Sequence, residues 1–179
     1  MKVLFLDVDG VLNSNRRRLE IGSGEYLDEE KVKLLSAIVR QTGAAVVLHS
    51  GWRFWFNEAL EPVRREAVNL SSLLAKYGVR IYDKTPDFSN EPIRKAKKFS
   101  LVKADEILSW LENHSGVENY IVLDDLDLHN ERLARRQIQT DSADGLTKGD
   151  VSRAVQMLNS IQFRMFSSKE VHDGKNQCP

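Results

Sequence analysis

The stretch Lys2–Asn13, KVLFLDVDGVLN, constrains this chain more than any other. Val3–Leu6 is an unbroken apolar run, which suits a strand buried on both faces, as in a parallel sheet. Asp7 and Asp9 follow where the run ends. Alternate residues of a strand share a face, so both acids are expected to point at one spot. Gly10 comes next, where a backbone must turn sharply or approach a ligand closely. Two carboxylates held together raise each other's cost of ionisation, and a bound divalent cation would relieve it.

The pattern recurs downstream. After a polar loop, Asn13–Tyr26, carrying Arg16, Arg17 and Arg18, Asp28 is placed to cap a helix with Val32, Leu35, Ile38 and Val39 in one stripe. Gly43 ends that helix, and Ala44–Leu48 is a second buried strand closing on His49-Ser50-Gly51-Trp52-Arg53. Phe54–Tyr77 reads as helical, in one piece or in two broken near Pro62 or Asn69–Ser71. Val79–Tyr82 reads as a short strand and Asp83–Phe99 as a loop with the bases Arg94, Lys95, Lys97 and Lys98. Ser100 is placed to cap a helix reaching about His114, with Ala104, Ile107, Leu108 and Leu111 on one face. Lys103 sits in its first turn, where a cation opposes the helix dipole, and such a placement points to function. Tyr120–Leu123 is a third core strand and closes on Asp124-Asp125. Leu128–Arg136 is a short helix or loop, and Ile138–Thr140 a further short strand. Thr147 and Asp150 form a capping pattern opening a last helix, with Val151, Ala154, Val155 and Leu158 at helical spacing. Apolar runs alternating with helices predict a doubly wound α/β fold, its mainly parallel sheet covered on both faces and its site at the carboxyl ends of the strands.

Composition sets the outer limits. A chain of 179 residues fits one domain, expected over residues 1–165, with a flexible tail over 166–179. Net charge is zero, so nucleic-acid or membrane binding has no global electrostatic basis. Cys178 is the only cysteine, which argues against a disulfide-linked partner. With no signal-peptide pattern and no membrane-length apolar run, a cytoplasmic location is expected.

Asp7-Val8-Asp9-Gly10-Val11-Leu12 after an apolar strand resembles motif I of the haloacid dehalogenase (HAD) superfamily. Ser50 after the second strand resembles motif II, Lys103 motif III, with Lys98 and Arg94 as fallbacks, and Asp124-Asp125 motif IV. Ser50-Gly51-Trp52-Arg53 is similar to motif II of small HAD proteins grouped with the HAD domains of Swiss army knife RNA-repair proteins. The resemblance implies a Mg²⁺-dependent phosphatase in which Asp7 is the nucleophile and Asp9 the general acid and base. Asp7, the main-chain carbonyl of Asp9 and Asp125 would ligate the metal, with Asp124 in support and Asp127 acting through water. Ser50, Gly51 and Lys103 would hold the phosphate. Arg53 is either a second phosphate ligand or one half of an ion pair. Trp52 and Trp55 read as packing residues, and His49 as structural.

The spacing leaves room only for a flap after Gly10 and for a helix, strand and loop between Arg53 and Lys103. The expected protein is therefore capless or nearly so, with an open site suited to a bulky phosphorylated substrate such as a nucleic-acid end. The alternatives are a phosphatase for nucleotides or sugar phosphates, and a HAD-like module that binds a phosphorylated ligand or protein without turnover. Oligomeric state is not legible.

Overall fold

The computed structural model describes residues 1–16, 27–96 and 99–160, with the backbone alone for Arg94, Ala96 and Leu101. The apolar runs become strands β1 (Lys2–Leu6), β2 (Ala45–Leu48), β3 (Ile81–Lys84), β4 (Asn119–Asp124) and β5 (Gln137–Gln139). They form one five-stranded sheet in the order β3-β2-β1-β4-β5, parallel throughout. Helices α1 (Glu29–Thr42), α2 (Arg65–Lys76), α3 (Glu91–Ala96), α4 (Ser100–Glu112), α5 (Glu131–Ala134) and α6 (Lys148–Asn159) alternate with them. None is long and apolar enough to cross a membrane.

Strand alternation sends side chains into two cores. Leu4, Leu6, Val46, Leu48, Ile121 and Leu123 pack with Val32, Leu35 and Ile38 of α1, Leu70 and Leu74 of α2 and Ala154 and Leu158 of α6. Val3, Phe5, Val47, Tyr120 and Val122 pack with Ala104, Ile107, Leu108 and Leu111 of α4. Both faces of the sheet are thus covered, which an all-parallel sheet requires.

The helix ends follow local chemistry. Asp28 Oδ1 accepts from the Glu30 N–H at 2.9 Å, and Gly43 closes α1 at a φ of 67°. At α6 the Thr147 hydroxyl accepts from the Asp150 N–H while the Asp150 carboxylate accepts from the Thr147 N–H, a reciprocal capping box.

Several expectations need correcting. Residues 56–64 are not helical. A 3₁₀ turn, Gly51–Trp55, leads to an antiparallel bridge between Phe56 and Pro62. The Asn57 side chain accepts from the N–H groups of Ala59 and Glu61, offering the backbone an alternative to a helix, and Pro62 favours an extended residue before it. Within the expected loop 83–99, Glu91–Ala96 forms a short helix, where Pro92 is tolerated in the first turn and Asn90 Oδ1 accepts from the Ile93 N–H at 3.0 Å. Phe99, not Ser100, occupies the N-cap of α4. Strand β3 starts later than expected, at Ile81. Asp7 and Asp9 do not share a strand face either. β1 stops at Leu6, and the chain then coils around the Val8 carbonyl, which accepts from the N–H groups of Val11, Leu12 and Asn13. Arg17, Arg18 and the tail lie outside the described residues.

Phe5 lies at the centre of the second core, its ring edge-on to Trp110 at 5.4 Å and to Tyr120 at 6.1 Å between centroids. Phe5→Ala is expected to lower unfolding stability in urea by about 3–5 kcal/mol. Val63→Ala, at a site 61% exposed, should stay within about 0.5 kcal/mol.

Candidate active site

The site grows from the ladder of three adjacent strands. Leu6 of β1 is in register with Leu48 of β2 and Leu123 of β4. Hydrogen bonding continues one step past the strands: the Asp7 N–H donates to the Leu123 carbonyl at 2.9 Å, and the His49 N–H to the Leu6 carbonyl at 3.1 Å. The residues after the three apolar runs therefore meet at one edge. The chain winds outward in one direction through β2 and β3 and in the other through β4 and β5. The edge above β1 and β4 is therefore the switch point where open α/β sheets form crevices.

Lys103 enters this edge from the first turn of α4. Its ammonium donates to Asp7 Oδ2 at 2.7 Å and to Asp124 Oδ2 at 2.8 Å. Asp7 Oδ1 accepts from the Val8 N–H at 2.9 Å, and Asp124 Oδ1 from the Leu126 N–H at 2.9 Å. Carboxylate oxygens of Asp7, Asp124 and Asp125 lie within 4.8 Å of one another. Burial by itself would raise the pKa of Asp7, but Lys103, then His49 and Ser50, hold it below the ordinary range. Burial, and then the neighbouring Asp7, push Asp124 up to about 8 despite Lys103. Burial and Asp7 also raise Asp125. Burial disfavours the charge on Lys103, yet Asp7 and Asp124 outweigh it and raise its pKa. Shared acids with opposed shifts mark the point where charge is poised.

Asp9 is exposed and held separately. Its Oδ2 accepts from Trp52 Nε1 at 3.0 Å and its Oδ1 from Asn13 Nδ2 at 2.8 Å, while Asn13 Oδ1 accepts from the Gly10 N–H at 2.9 Å. Trp52 is buried and stands 4.8 Å from Trp55 between ring centroids, so it both packs and orients a carboxylate. Gly10 adopts a φ of +72°, and a Cβ there would lie 2.4 Å from Asp125 Cγ. Its carbonyl accepts from the Thr140 hydroxyl at 2.8 Å. Only glycine lets the motif turn and the Asp125 carboxylate occupy the same space.

Ser50 is fully buried and caps the 3₁₀ turn, its hydroxyl accepting from the Trp52 N–H at 3.3 Å; Gly51 beside it is exposed. Arg53 is buried in an ion pair, Nη2 lying 2.8 Å from Glu106 Oε1. Its Nη1 donates to the His49 and Ser50 carbonyls at 3.1 and 3.2 Å. Three residues apart on α4, Lys103 and Glu106 thus insert opposite charges, one into the acid cluster and one under the Ser50 turn. Burial raises the pKa of Glu106 although Arg53 opposes the shift. His49 is fully buried, its Nε2 3.3 Å from the Leu123 carbonyl and its Nδ1 3.7 Å from Asp124 Oδ2. Burial, then Lys103, push it down to about 3, so it is neutral at neutral pH.

Above these groups opens a cavity of about 500 Å³, lined by Asp7, Asp9, Lys103 and Asp125 together with Phe54, Trp55, Phe99 and Leu126. The acid group could hold a metal. Its donors are oxygen only, it is partly desolvated, and it gathers three carboxylates around one lysine. This chemistry fits a hard divalent cation.

The structure brings the sequence-predicted Asp7, Lys103, Asp124 and Asp125 together, with Ser50 close enough to influence Asp7. The three-carboxylate group does not include Asp9. Arg16, of the polar loop that follows the first motif, pairs with Asp144 at 3.0 Å. Lys98 and the Arg94 side chain lie outside the described residues. Asp127 hydrogen-bonds the His129 N–H. Sequence reasoning missed the contacts of Asn13, Thr140 and Glu106 and the polar half of Trp52. For Glu106 a signal existed: an acid inside an apolar helix face, one turn after the functional lysine. For Thr140 there was none, because its partner Gly10 is 130 residues away.

The chain belongs to the family of HAD domains in Swiss Army Knife RNA repair proteins, whose family model matches residues 3–151. No curated protein and no solved structure matches it. The family is one of phosphatase-type hydrolases that typically use a divalent metal, and the buried acids are a place where one could bind.

Two outcomes follow from this geometry. Gly10→Ala should be destabilised by about 1–2 kcal/mol from the left-handed backbone alone and should also displace Asp125, so that affinity for a divalent cation measured by calorimetry falls. The second concerns pH. The folded-state value of about 8 for Asp124 lies above its ordinary 3.8, so the folded chain keeps a proton that the unfolded chain has lost. That contribution favours folding at lower pH and is lost as pH rises to about 8. The urea midpoint of metal-free protein should therefore fall as pH rises from about 5 to about 8 and level off above that, and a divalent cation, which prefers the deprotonated acids, should reverse the drop.

Proposed function

We propose, on the premise of this family membership, that the protein is a Mg²⁺-dependent phosphomonoesterase that works through an aspartyl-phosphate and acts on the phosphorylated end of a nucleic acid. The observation that carries the reading is the Lys103 ammonium held between Asp7 and Asp124 beside Asp125. A lysine so placed keeps Asp7 anionic, as a nucleophile must be, and remains to balance the charge of an incoming phosphate. The family's occurrence in RNA repair proteins supports the choice of substrate.

In this reading Asp7 attacks phosphorus in line, using the oxygen that Val8 or Lys103 now holds. The P–O ester bond breaks as the new Asp7–phosphorus bond forms, and Asp9 gives its proton to the leaving oxygen. Trp52 and Asn13 aim Asp9 at that oxygen by engaging its two carboxylate oxygens. Asp9 then takes a proton from water attacking the phosphorus, the Asp7 bond breaks, and inorganic phosphate leaves. Ser50, Gly51 and Lys103 hold the phosphate oxygens, while Arg53, locked to Glu106, shapes the Ser50 turn. Asp7, the Asp9 carbonyl and Asp125 would hold Mg²⁺, with Asp124 in support, since both Asp124 oxygens are already engaged. Bound there, the ion would screen the repulsion between carboxylate and phosphate.

Purified protein with Mg²⁺ should release phosphate from 5′- or 3′-phosphorylated oligonucleotides, and chelation should stop it. Asp7→Asn should lose roughly 10³-fold or more in kcat, as expected for a nucleophile. Asp9→Asn should lose about 10²–10⁴-fold, as expected for a general acid and base. Phosphate-dependent binding without turnover by the wild type would favour a binding module instead, and preference for sugar phosphates a metabolite phosphatase.

A further inference from the structure

Each segment that delivers a polar group to the site delivers apolar side chains next to it. The turn after Ser50 carries Phe54 and Trp55, the start of α4 carries Phe99 and Val102 beside Lys103, and Leu126 follows Asp124 and Asp125. These five residues line the same cavity of about 500 Å³ as the acids. Three of them are large apolar side chains with much of their surface exposed: Phe54 at 45%, Phe99 at 37% and Leu126 at 42%. The Arg53 guanidinium lies 4.4 Å from the Phe54 ring centroid and is itself locked to Glu106, which steadies the ring. Loose hydrophobic side chains scattered singly on a surface need no explanation, but a contiguous set that continues from a reactive centre does.

We propose that this wall binds the base of the terminal nucleotide, so that the site selects phosphomonoesters carried by a nucleoside. The inference rests on the phosphatase reading for the position of the phosphate. With phosphorus beside Asp7, whatever carries the leaving oxygen must lie along the rest of the cavity, against Phe54, Trp55, Phe99 and Leu126. A sugar phosphate or a phosphoserine peptide would set hydroxyls or peptide groups against a surface with few partners for them, at a desolvation cost. A base presents a flat π-face, which stacks on aromatic rings irrespective of its identity. A phosphotyrosine ring joins the phosphate oxygen directly and would need its apolar contacts beside the phosphate. Asp7 and Lys103 are buried members of the lining whereas Phe54 and Phe99 are exposed, so the rings stand nearer solvent than the phosphate site, where a ribose-length spacer would place a base.

Among the described residues, the neighbouring hollow favours a grip on one nucleotide. Behind Arg53 and Phe54 lies a second hollow of about 440 Å³, lined by Asp83, Asp87 and Glu58 as well as Lys84. Lys84 is committed to Glu58 at 2.9 Å. Further phosphates find no favourable charge in that direction, and stacking rather than backbone neutralisation carries the selectivity. Binding should accordingly depend only weakly on salt.

The test compares, with the full chain and Mg²⁺, a phosphorylated single-stranded oligonucleotide, the same strand with an abasic terminal residue, a nucleoside monophosphate and ribose phosphate. The base-bearing member of each pair should exceed its abasic counterpart in kcat/KM by roughly 5- to 150-fold, the equivalent of one base stacked on aromatic side chains. In Phe54→Ala/Phe99→Ala that ratio should fall towards one. Both side chains are exposed, so the fold should survive, and general damage would lower both members rather than their ratio. A higher rate on the oligonucleotide identifies a chain end as the source of the nucleoside, and a higher rate on the monophosphate identifies a free nucleotide; each supports the wall. Equal rates on base-bearing and abasic substrates overturn it while leaving the phosphatase intact. Binding to Asp7→Asn, followed by quenching of tryptophan fluorescence, is read in parallel. If the wild type hydrolyses nothing, the phosphatase reading fails, and the wall then stands or falls on whether the base-bearing strand binds more tightly than the abasic one.

Discussion

One buried lysine between two aspartates holds this structure's centre together. Lys103 is 6% exposed, so its charge is not tolerable alone in that setting. The contacts at 2.7 and 2.8 Å tie α4 to the ends of β1 and β4. The Arg53–Glu106 pair repeats the arrangement one turn along, tying the same helix to the end of β2. Opposite charges on one helix face thus add to the backbone hydrogen bonds and apolar packing that already join these three strand ends.

The arrangement also separates two acids that sequence spacing places side by side. Asp7 is buried and kept anionic by Lys103, which overcomes the burial. Asp9, two residues on, is exposed and oriented by neutral donors, the Trp52 indole and the Asn13 amide. The backbone turn around the Val8 carbonyl makes the separation possible by ending strand geometry between them. Different surroundings for two like groups are the physical condition for giving them different tasks.

The fold was legible because long apolar runs and helical stripes are strong local signals. β1, β2, β4, α1, α4 and α6 correspond to their sequence patterns within a few residues. The misses at residues 56–64 and 91–96 turn on single side chain–backbone bonds: those of Asn57 compete with a helix, whereas that of Asn90 to the Ile93 N–H starts a helix where a loop was expected. The convergence of Asp7, Lys103, Asp124 and Asp125 was legible as a motif set, but the partners that hold it were not.

By itself the sequence determined the all-important order of elements: apolar strands ending in acids or a hydroxyl, separated by amphipathic helices, with glycine at the motif turn. These are local properties, set by side-chain alternation, helix periodicity and the steric freedom of single residues. Only the tertiary structure decided that Gly10 must leave room for Asp125, that Thr140 holds the Gly10 carbonyl, that Trp52 holds Asp9, and that Arg53 faces Glu106. Each depends on a distance between residues far apart in the chain. Such distances follow from parallel strand order and helix docking, which no spacing along the sequence encodes.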